Sequence, residues 1–425
     1  MVKFLHSGDW QIGMTRHFLA GEAQARFSAA RVDVIRRLGR VAVDQGCDFI
    51  VVCGDVFESN QLTPQTVRRS LEALRALEVP VYLLPGNHDP LDAMSIYTSE
   101  VFRDEAPAQV HVLDRAGVHV VGEGVELVAA PWRSKHPGRD LVAEAMADLP
   151  PGPAPEGVVR VVVGHGAVDI LDPDRGNDAA IATAPLLASL DEGRIHYVAL
   201  GDRHSRTEVA GTSSIHYAGA PEQTAARETR PGDVLVVEVD PSTPARVTAH
   251  HVGSWSFAVV DRRIEGEADL VALDEFLGGL ADKDRTVVHY ALRGTLTVAQ
   301  HARLESILSR HRDTLAALVE RSRHHDIAVI SDQQEWDELG LGGFLGTAVD
   351  EIRSLAEAGA GTGGSHGCEL PSPRLGIDVI EIGIEDELDE GLRPQAVFVA
   401  GREDDDESAR DALALLYRLT RGGAA

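Results

Sequence analysis

One stretch decides the predicted fold: Val81-Tyr82-Leu83-Leu84-Pro85-Gly86-Asn87-His88-Asp89. An apolar run reaches a Pro-Gly pair, and three polar residues follow directly. This pattern is typical of a buried strand that ends at a tight turn. We expect the turn to bring the side chains of Asn87, His88 and Asp89 to one place.

The same pattern recurs elsewhere in the chain. Four further apolar stretches reach glycine and then a polar residue: Lys3 to Asp9, Phe49 to Asp55, Val159 to His165, and Tyr197 to Asp202. Gln11 follows Asp9 by two residues, and His204 follows Asp202 by two. Turn chemistry explains any one of these stretches alone. Because ligands bind beyond the carboxyl ends of strands in α/β sheets, all of them together predict a functional site.

The segments between the first three strands have helical character. Ala23–Gln45 carries apolar residues at helical spacing, and Thr63-Pro64 is a suitable helix start. This β-α-β-α-β order predicts parallel pairing. After Asp89 the sequence is rich in strands. The expected fold class is therefore α/β, with two sheets face to face, helices outside, and the polar strand ends at one edge.

The sequence pattern changes at about Trp255. A strand at Phe257–Val260, a helix at Leu270–Leu280, a strand at Thr286–Leu292 and a long helix at Val298–Arg323 predict a smaller α/β domain.

Beyond that domain the pattern is that of a linker with helices on either side. Ala358–Gly367 is rich in glycine, and Trp336–Glu357 and Asp411–Leu419 each have an apolar face. Such stretches dock into a partner or pack on their own domain. The predicted domains are 1–253 (catalytic), 254–330 (cap) and 331–425 (linker and partner-binding helices).

Composition limits the classes of function. The 425 residues have a formal net charge of −27, which argues against a freestanding basic nucleic-acid binder. It leaves open DNA contact through metals, a local basic strip or a basic partner. The three cysteines have no Cys-x-x-Cys spacing, which favours reduced thiols in a cytoplasmic protein. The N-terminus lacks a signal-peptide pattern, and no apolar run approaches the ~20 residues of a membrane span.

The polar strand ends favour a site for two metal ions. Asp55 is the candidate bridging carboxylate, since a two-metal site holds its cations ~3.5–4 Å apart and clamps a phosphate. Oxygen and imidazole ligands without thiolate suit Mn²⁺ or Mg²⁺, or mixed sites with Fe or Zn. His88 could protonate a leaving alkoxide. Asp89 either orients His88 or caps the turn.

These motifs resemble a known superfamily. Its members, the calcineurin-like metallophosphoesterases, carry five motifs similar to Asp9-x-Gln11, Gly54-Asp55, Gly86-Asn87-His88-Asp89, Gly164-His165 and Gly201-Asp202-Arg203-His204. Within it, the chain is similar to the SbcD-type nucleases of SbcCD and MRN-like complexes. The resemblance covers about residues 1–240 and implies a four-layer α-β-β-α metallophosphoesterase sandwich with a smaller α/β cap that contacts DNA.

The resemblance also implies a ligand set. The first metal would take Asp9, Gln11, Asp55 and His204. The second would take Asp55, Asn87, His165 and Asp202. His88 matches the catalytic histidine. The family usually has histidine where Gln11 and Asp202 stand, and these substitutes favour harder cations.

The function implied is that of a Mn²⁺-dependent DNA exonuclease and endonuclease in repair, beside an SbcC-like coiled-coil ATPase. A homodimer is left open. Two alternatives stand beside this interpretation. Both are slightly favoured by the negative net charge. One is a metallophosphoesterase acting on a small phosphodiester or phosphomonoester. The other is a weakly catalytic scaffold subunit.

Overall fold

The computed structural model describes residues 1–174 and 176–330. The predicted linker and partner-binding helices of 331–425 lie outside the described residues. The chain divides into two compact units. The first comprises Met1–Ala258, Asp282–Val287 and Leu315–Ala317, and the second comprises Val259–Ala281, Val288–Thr314 and, among the described residues, 318–330. Across these described ranges no helix is long and apolar enough to cross a bilayer.

Two six-stranded sheets form the first unit. Their strands are β1 (Val2–Ser7), β2 (Phe49–Cys53), β3 (Val81–Leu84), β4 (Val110–Val112), β5 (Gly117–Gly122), β6 (Val125–Ala129), β7 (Val159–His165), β8 (Tyr197–Gly201), β9 (Thr207–Glu208), β10 (Ile215–Tyr217), β11 (Asp233–Asp240) and β12 (Thr243–His251). The first sheet has the order β12-β11-β1-β2-β3-β4, and the second β5-β6-β7-β8-β10-β9. The parallel pairs β1–β2, β2–β3 and β7–β8 align the carboxyl ends that carry the polar motifs.

Five helices accompany these sheets: α1 (Gly21–Asp44), α2 (Pro64–Arg75), α3 (Glu100–Glu105), α4 (Leu141–Met146) and α5 (Thr183–Asp191). In α1 the buried side chains Phe27, Val34 and Leu38 recur at helical spacing. The Thr63 side chain caps α2 by accepting a hydrogen bond from the Thr66 backbone N–H at 3.3 Å.

Three apolar clusters separate four layers in the first unit. Successive strand residues point to opposite faces, so Leu5 joins the cluster beneath α1 and α2, whereas Phe4 joins the cluster between the sheets. In the second sheet Val161 faces the first sheet and Val162 faces α4 and α5. The predicted α-β-β-α sandwich is therefore confirmed for this unit.

The remaining elements form a smaller α/β arrangement. They are β13 (Ser256–Arg263), α6 (Glu267–Gly279), β14 (Thr286–Thr297), α7 (Val298–Arg312), β15 (Ala317–Glu320) and β16 (Asp326–Ile330). The sheet has the order β13-β14-β15, and β16 pairs in parallel with β14.

The prediction of one long helix over Val298–Arg323 is wrong beyond Arg312. The helix α7 begins at a Thr297 cap and ends at Arg312, and Ala317–Glu320 pairs instead with β14. The run 315–319 is apolar throughout. Such a run fits a buried strand as well as a helix, so its periodicity could not distinguish them.

Candidate metal centre

The two sheets of the first unit come very close at the strand ends. A Cβ at Gly54 would stand 2.1 Å from His165 Nδ1, and one at Gly201 would stand 1.7 Å from the carbonyl oxygen of Cys53. A side chain at either glycine would push the sheets apart. These glycines therefore allow ligands from both sheets to share one site.

Backbone strain concentrates at the same place. Among residues 1–174 and 176–330, seven non-glycine residues have positive φ, and four of them are predicted ligands: Asp9 (53°), Gln11 (45°), Asp55 (51°) and Asp202 (99°). Non-glycine residues rarely adopt this region, and such strain clusters at functional sites. Two backbone hydrogen bonds stabilise it, from Asp9 N–H to Gly54 O at 3.1 Å and from Gln11 N–H to Asp55 O at 2.9 Å.

Asp9, Asp55 and His165 form the centre of the cluster. One potential ligand atom from each lies within 4.8 Å of the other two, and all three residues are buried. The His165 Nδ1–H donates to the Cys53 carbonyl at 2.8 Å, which leaves Nε2 facing Asp55 Oδ1 at 3.4 Å. This arrangement directs carboxylate and imidazole lone pairs into one small space.

Asp202 and Asn87 lie beside this centre. The Asp202 backbone N–H donates to both carboxylate oxygens of Asp9 at 3.1 Å, and its Oδ1 lies 3.7 Å from His165 Nε2. The Asn87 side-chain oxygen lies 2.7 Å from His165 Nε2 and 3.3 Å from both oxygens of Asp55. The structure thus places both predicted ligands around Asp55 and His165.

Gln11 and His204 lie on the other side of Asp9. His204 Nε2 is 3.0 Å from Gln11 Nε2 and 3.9 Å from Asp9 Oδ1. All seven predicted ligands therefore lie in one connected cluster. That they bind metal ions is a proposal.

Burial and neighbouring charges shift the pKa values of the residues at the centre of the cluster. Burial raises the pKa of Asp9 to about 7, against the lowering effect of His204 and His165. Burial also acts to raise the pKa of Asp55, but the charge and hydrogen bond of His165 outweigh it and lower that pKa. The pKa of His165 is raised well above its usual range, because Asp55 outweighs the effect of burial. Protons thus compensate buried carboxylates, a task that a cation performs in metal sites.

Two side-chain amides of the cluster could each offer an oxygen atom to a cation. Gln11 Oε1 is buried and has no hydrogen-bond partner. The Asn87 oxygen faces the Asp55 carboxylate, an arrangement that repels unless the amide is turned or a cation lies between them. Carboxylates, amide oxygens and imidazoles without thiolate are ligands for hard or borderline divalent cations. The residues present fit such an ion.

His88 lies at the edge of the cluster with its side chain 39% exposed. Its Nδ1–H donates to the Glu58 carbonyl at 2.9 Å, and its Nε2 lies 3.9 Å from Asp55 Oδ2. Its backbone N–H donates to Asp55 Oδ1 at 3.0 Å. The ring is therefore oriented by Glu58, with Nε2 directed to the site.

Asp89 has the capping role rather than the orienting one. Its carboxylate accepts hydrogen bonds from Gly86 N–H at 2.7 Å, Phe57 N–H at 3.0 Å and the Tyr97 hydroxyl at 2.6 Å. Within residues 1–174 and 176–330, no hydrogen bond joins it to His88. Of the two roles left open for Asp89, these hydrogen bonds favour capping of the turn that carries Asn87 and His88, and the residue is buried there.

The sequence analysis missed several residues that support the site. Glu228 and Thr224 both contact His204 Nδ1, at 3.1 and 2.8 Å. Trp132 Nε1–H donates to the His165 carbonyl at 2.8 Å. No local pattern identifies them, since each lies in a polar or irregular loop. For Trp132, an isolated aromatic residue shortly after the end of β6 was the one available signal.

Comparison with known proteins agrees with this geometry. Residues 2–206 match the family model of calcineurin-like phosphoesterases. This part of the chain is a calcineurin-like phosphoesterase domain. The domain contains every predicted site residue, and its family uses divalent metal ions. The predicted family is confirmed for this domain, and membership of that family implies a metal-dependent hydrolase.

Relatives at low identity extend the comparison. A DNA double-strand break repair protein Mre11 from Archaeoglobus fulgidus is 30% identical over 91 residues, or 21% of this chain and 19% of that protein. The SbcD subunit of the nuclease SbcCD from Rhodobacter capsulatus is 30% identical over 126 residues, which are 28% of this chain and 27% of that protein. The solved structure of TT1561 of Thermus thermophilus has a TM-score of 0.37 and 12% identity, covering 59% of this chain and 99% of that one. The matched regions are 19% and 27% of the length of the two curated relatives.

Proposed function

We propose that this protein is a DNA nuclease that hydrolyses phosphodiester bonds in DNA repair with two divalent ions, Mn²⁺ by preference. The observation that carries the proposal is the buried cluster of Asp9, Asp55 and His165 in a calcineurin-like phosphoesterase domain. Similarity to a DNA double-strand break repair protein and to a nuclease subunit supports DNA as the substrate. By the same similarity, an SbcC-like ATPase is the proposed partner, and residues 254–330 the proposed DNA-contacting cap.

Each residue of the cluster has a proposed role. One ion would be held by Asp9, Gln11, Asp55 and His204, and the other by Asp55, Asn87, His165 and Asp202. When bound, such ions supply Lewis-acid stabilisation of phosphoryl oxygens and lower the pKa of water. His88, whose Nδ1–H is held by the Glu58 carbonyl, would in its doubly protonated form deliver the proton of Nε2 to the leaving oxygen.

A basic loop beside the site supports a polyanionic substrate. Between the end of β6 and the Asp140 cap of α4, residues 130–139 contain Arg133, Lys135 and Arg139 and no acidic residue, although the chain carries a net charge of −27. Arg133 and Lys135 are exposed. Trp132 anchors the loop by its hydrogen bond to the His165 carbonyl. Cations so placed could contact phosphates that flank the scissile bond.

The test compares two substrates under one condition. The full-length protein with Mn²⁺ would be incubated with end-labelled duplex or single-stranded DNA and, separately, with a chromogenic phosphodiester. Cleavage of DNA that disappears on chelation and in Asp55→Asn supports the nuclease. Cleavage of the chromogenic ester alone would favour the small-phosphodiester alternative, which the net charge of −27 favours. If the protein binds both metal ions but cleaves neither substrate, the result would favour the weakly catalytic scaffold subunit.

A further inference from the structure

The two histidines of the cluster are held by different kinds of acceptor. His165 Nδ1–H donates to a neutral backbone carbonyl, that of Cys53, at 2.8 Å. His204 Nδ1 lies 3.1 Å from a carboxylate oxygen of Glu228 and 2.8 Å from the hydroxyl of Thr224. The imidazoles on the two sides of the cluster are therefore not chemically equivalent.

Glu228 is built into this position. Its side chain is only 4% exposed. One carboxylate oxygen accepts a hydrogen bond from Thr224 N–H at 2.9 Å, and the other accepts a short bond from the Thr224 hydroxyl. Over the described ranges, His204 is the basic side chain within ion-pair distance of Glu228. The carboxylate thus has a fixed orientation toward His204.

These contacts decide which nitrogen of His204 carries the proton. The Thr224 hydroxyl gives its proton to Glu228, so its oxygen can only accept from His204. Both neighbours of Nδ1 are then acceptors, and Nδ1 carries the hydrogen. The lone pair of the neutral ring lies on Nε2, which faces Gln11 and Asp9.

We propose that Glu228 is a positioning residue that makes the two metal positions unequal. It fixes the tautomer and orientation of His204 and makes Nε2 a stronger donor than the carbonyl-backed Nε2 of His165. Carboxylate partners of this kind raise the basicity of ligating histidines. The position formed with His204 therefore binds a divalent cation more tightly than it would without Glu228. The inference rests on the proposed metal centre.

The test is a metal titration that needs no substrate. Full-length protein would be titrated with Mn²⁺, and free Mn²⁺ would be followed by its electron paramagnetic resonance signal. The wild type should bind two ions. Glu228→Gln keeps the shape but loses the charge, so one binding step should weaken by ~10–100-fold while the other stays unchanged. Excess Mn²⁺ should restore hydrolysis in this variant.

The chain offers a matched control in Glu222. It is another buried glutamate of the same segment, and it accepts hydrogen bonds from Ser254 and Trp255 rather than from a predicted ligand. Glu222→Gln should leave both steps unchanged. Thermal unfolding with chelator separates loss of folding from loss of metal. Should Glu228→Gln not fold, Thr224→Val tests the same hydrogen bond and should weaken the same step.

A second arm uses His204 itself. In a His204→Ala background, Glu228→Gln should cause no further loss of Mn²⁺ affinity, since its effect passes through that ring. If neither Mn²⁺-binding step changes in Glu228→Gln, or if both weaken equally, the inference is overturned while the metal centre stands. A wild type that binds no Mn²⁺ would overturn the metal centre as well.

Discussion

His88, the proposed proton donor, lies at the edge of a buried cluster rather than within it. Its Nδ1–H is fixed by the Glu58 carbonyl, and its Nε2 stays accessible near Asp55. Asp89 contributes indirectly, by holding the turn through Gly86 and Phe57. Of these two neighbouring residues, His88 is thus the one proposed for the chemistry and Asp89 the one that supports the turn.

His88→Asn should bind both metal ions and lose most hydrolysis, because it removes the proton donor and no proposed ligand. General acid catalysis typically contributes ~10²–10⁴-fold to the rate. Metal content and turnover would be measured on the same preparation. His119→Asn, on the edge strand β5, serves as the control and should retain full activity. Normal turnover of His88→Asn would remove His88 from the mechanism.

Removal of the two unusual ligand candidates should impair metal binding and hydrolysis to different degrees. Asp202 supplies a charge as well as an oxygen, whereas Gln11 supplies a neutral oxygen that has no other partner in the described structure. Asp202→Ala should therefore loosen one ion and largely abolish hydrolysis. Gln11→Ala should weaken the other ion and be partly rescued by excess Mn²⁺. Retention of two tightly bound ions by Asp202→Ala would make Asp202 a loop residue.

Among individual residues, the sequence predicted which ones form the cluster but not which ones hold them in position. Asp9, Asp55 and His165 were predictable because each lies at or just after the end of a buried strand. Glu228 was not, because its approach to His204 depends on the folding of a loop 24 residues away. The role of Asp89 was likewise open until its donors were known.

Among the elements, the loop after β6 offers the sharpest test of substrate class. Arg133→Gln with Lys135→Gln should weaken DNA binding and flatten its salt dependence by about 0.9 in log–log slope for each lost phosphate contact. Hydrolysis of a small chromogenic phosphodiester should stay unchanged, since no proposed ligand is altered. Binding would be measured by fluorescence anisotropy over a range of salt concentrations.

A pair of exposed arginines elsewhere controls for net charge. Arg40 lies on α1 and Arg246 on β12, and both are exposed. Arg40→Gln with Arg246→Gln changes the charge equally but should leave DNA affinity and its salt slope as in the wild type. Equal effects of the two pairs would show that the loop has no specific contact.

Elements of clear periodicity were predictable from sequence, and elements in uniformly apolar runs were not. The crossover helix α1 was expected over Ala23–Gln45 and lies at Gly21–Asp44, since its apolar residues recur every three or four positions. The strand β15 was predicted as helix, because pairing with β14 decides its conformation. Pairing partners distant in sequence are absent from a local pattern.

Across the whole first unit, His6 joins the two sheets. This residue of β1 is fully buried, donates from Nε2 to the Leu200 carbonyl at 3.1 Å, and accepts at Nδ1 from the Tyr197 hydroxyl at 3.2 Å. Burial lowers its pKa to about 3 from a model-peptide value of 6.5. The ring therefore stays neutral in the folded protein.

The contribution of His6 to stability should fall as the pH decreases from about 6.5 to about 3. In this window the unfolded chain binds a proton at His6 that the folded chain does not, so this contribution to the free energy of unfolding falls by roughly 1.4 kcal/mol per pH unit. His6→Gln should be less stable than the wild type at pH 7, and its pH slope should differ from that of the wild type by that amount. Urea unfolding at pH 5, 6 and 7 would measure the slope of the free energy of unfolding against pH, with His119→Gln as control. Equal slopes for the wild type and His6→Gln would contradict the assignment.

The central claim is that strand ends from both sheets hold two divalent ions that share Asp55. Anomalous diffraction from crystals of the protein loaded with Mn²⁺ tests it most directly. Two anomalous peaks ~3.5–4 Å apart are expected, both in contact with Asp55, one beside His204 and the other beside His165. The absence of peaks among these residues, or a single ion away from Asp55, would contradict the account.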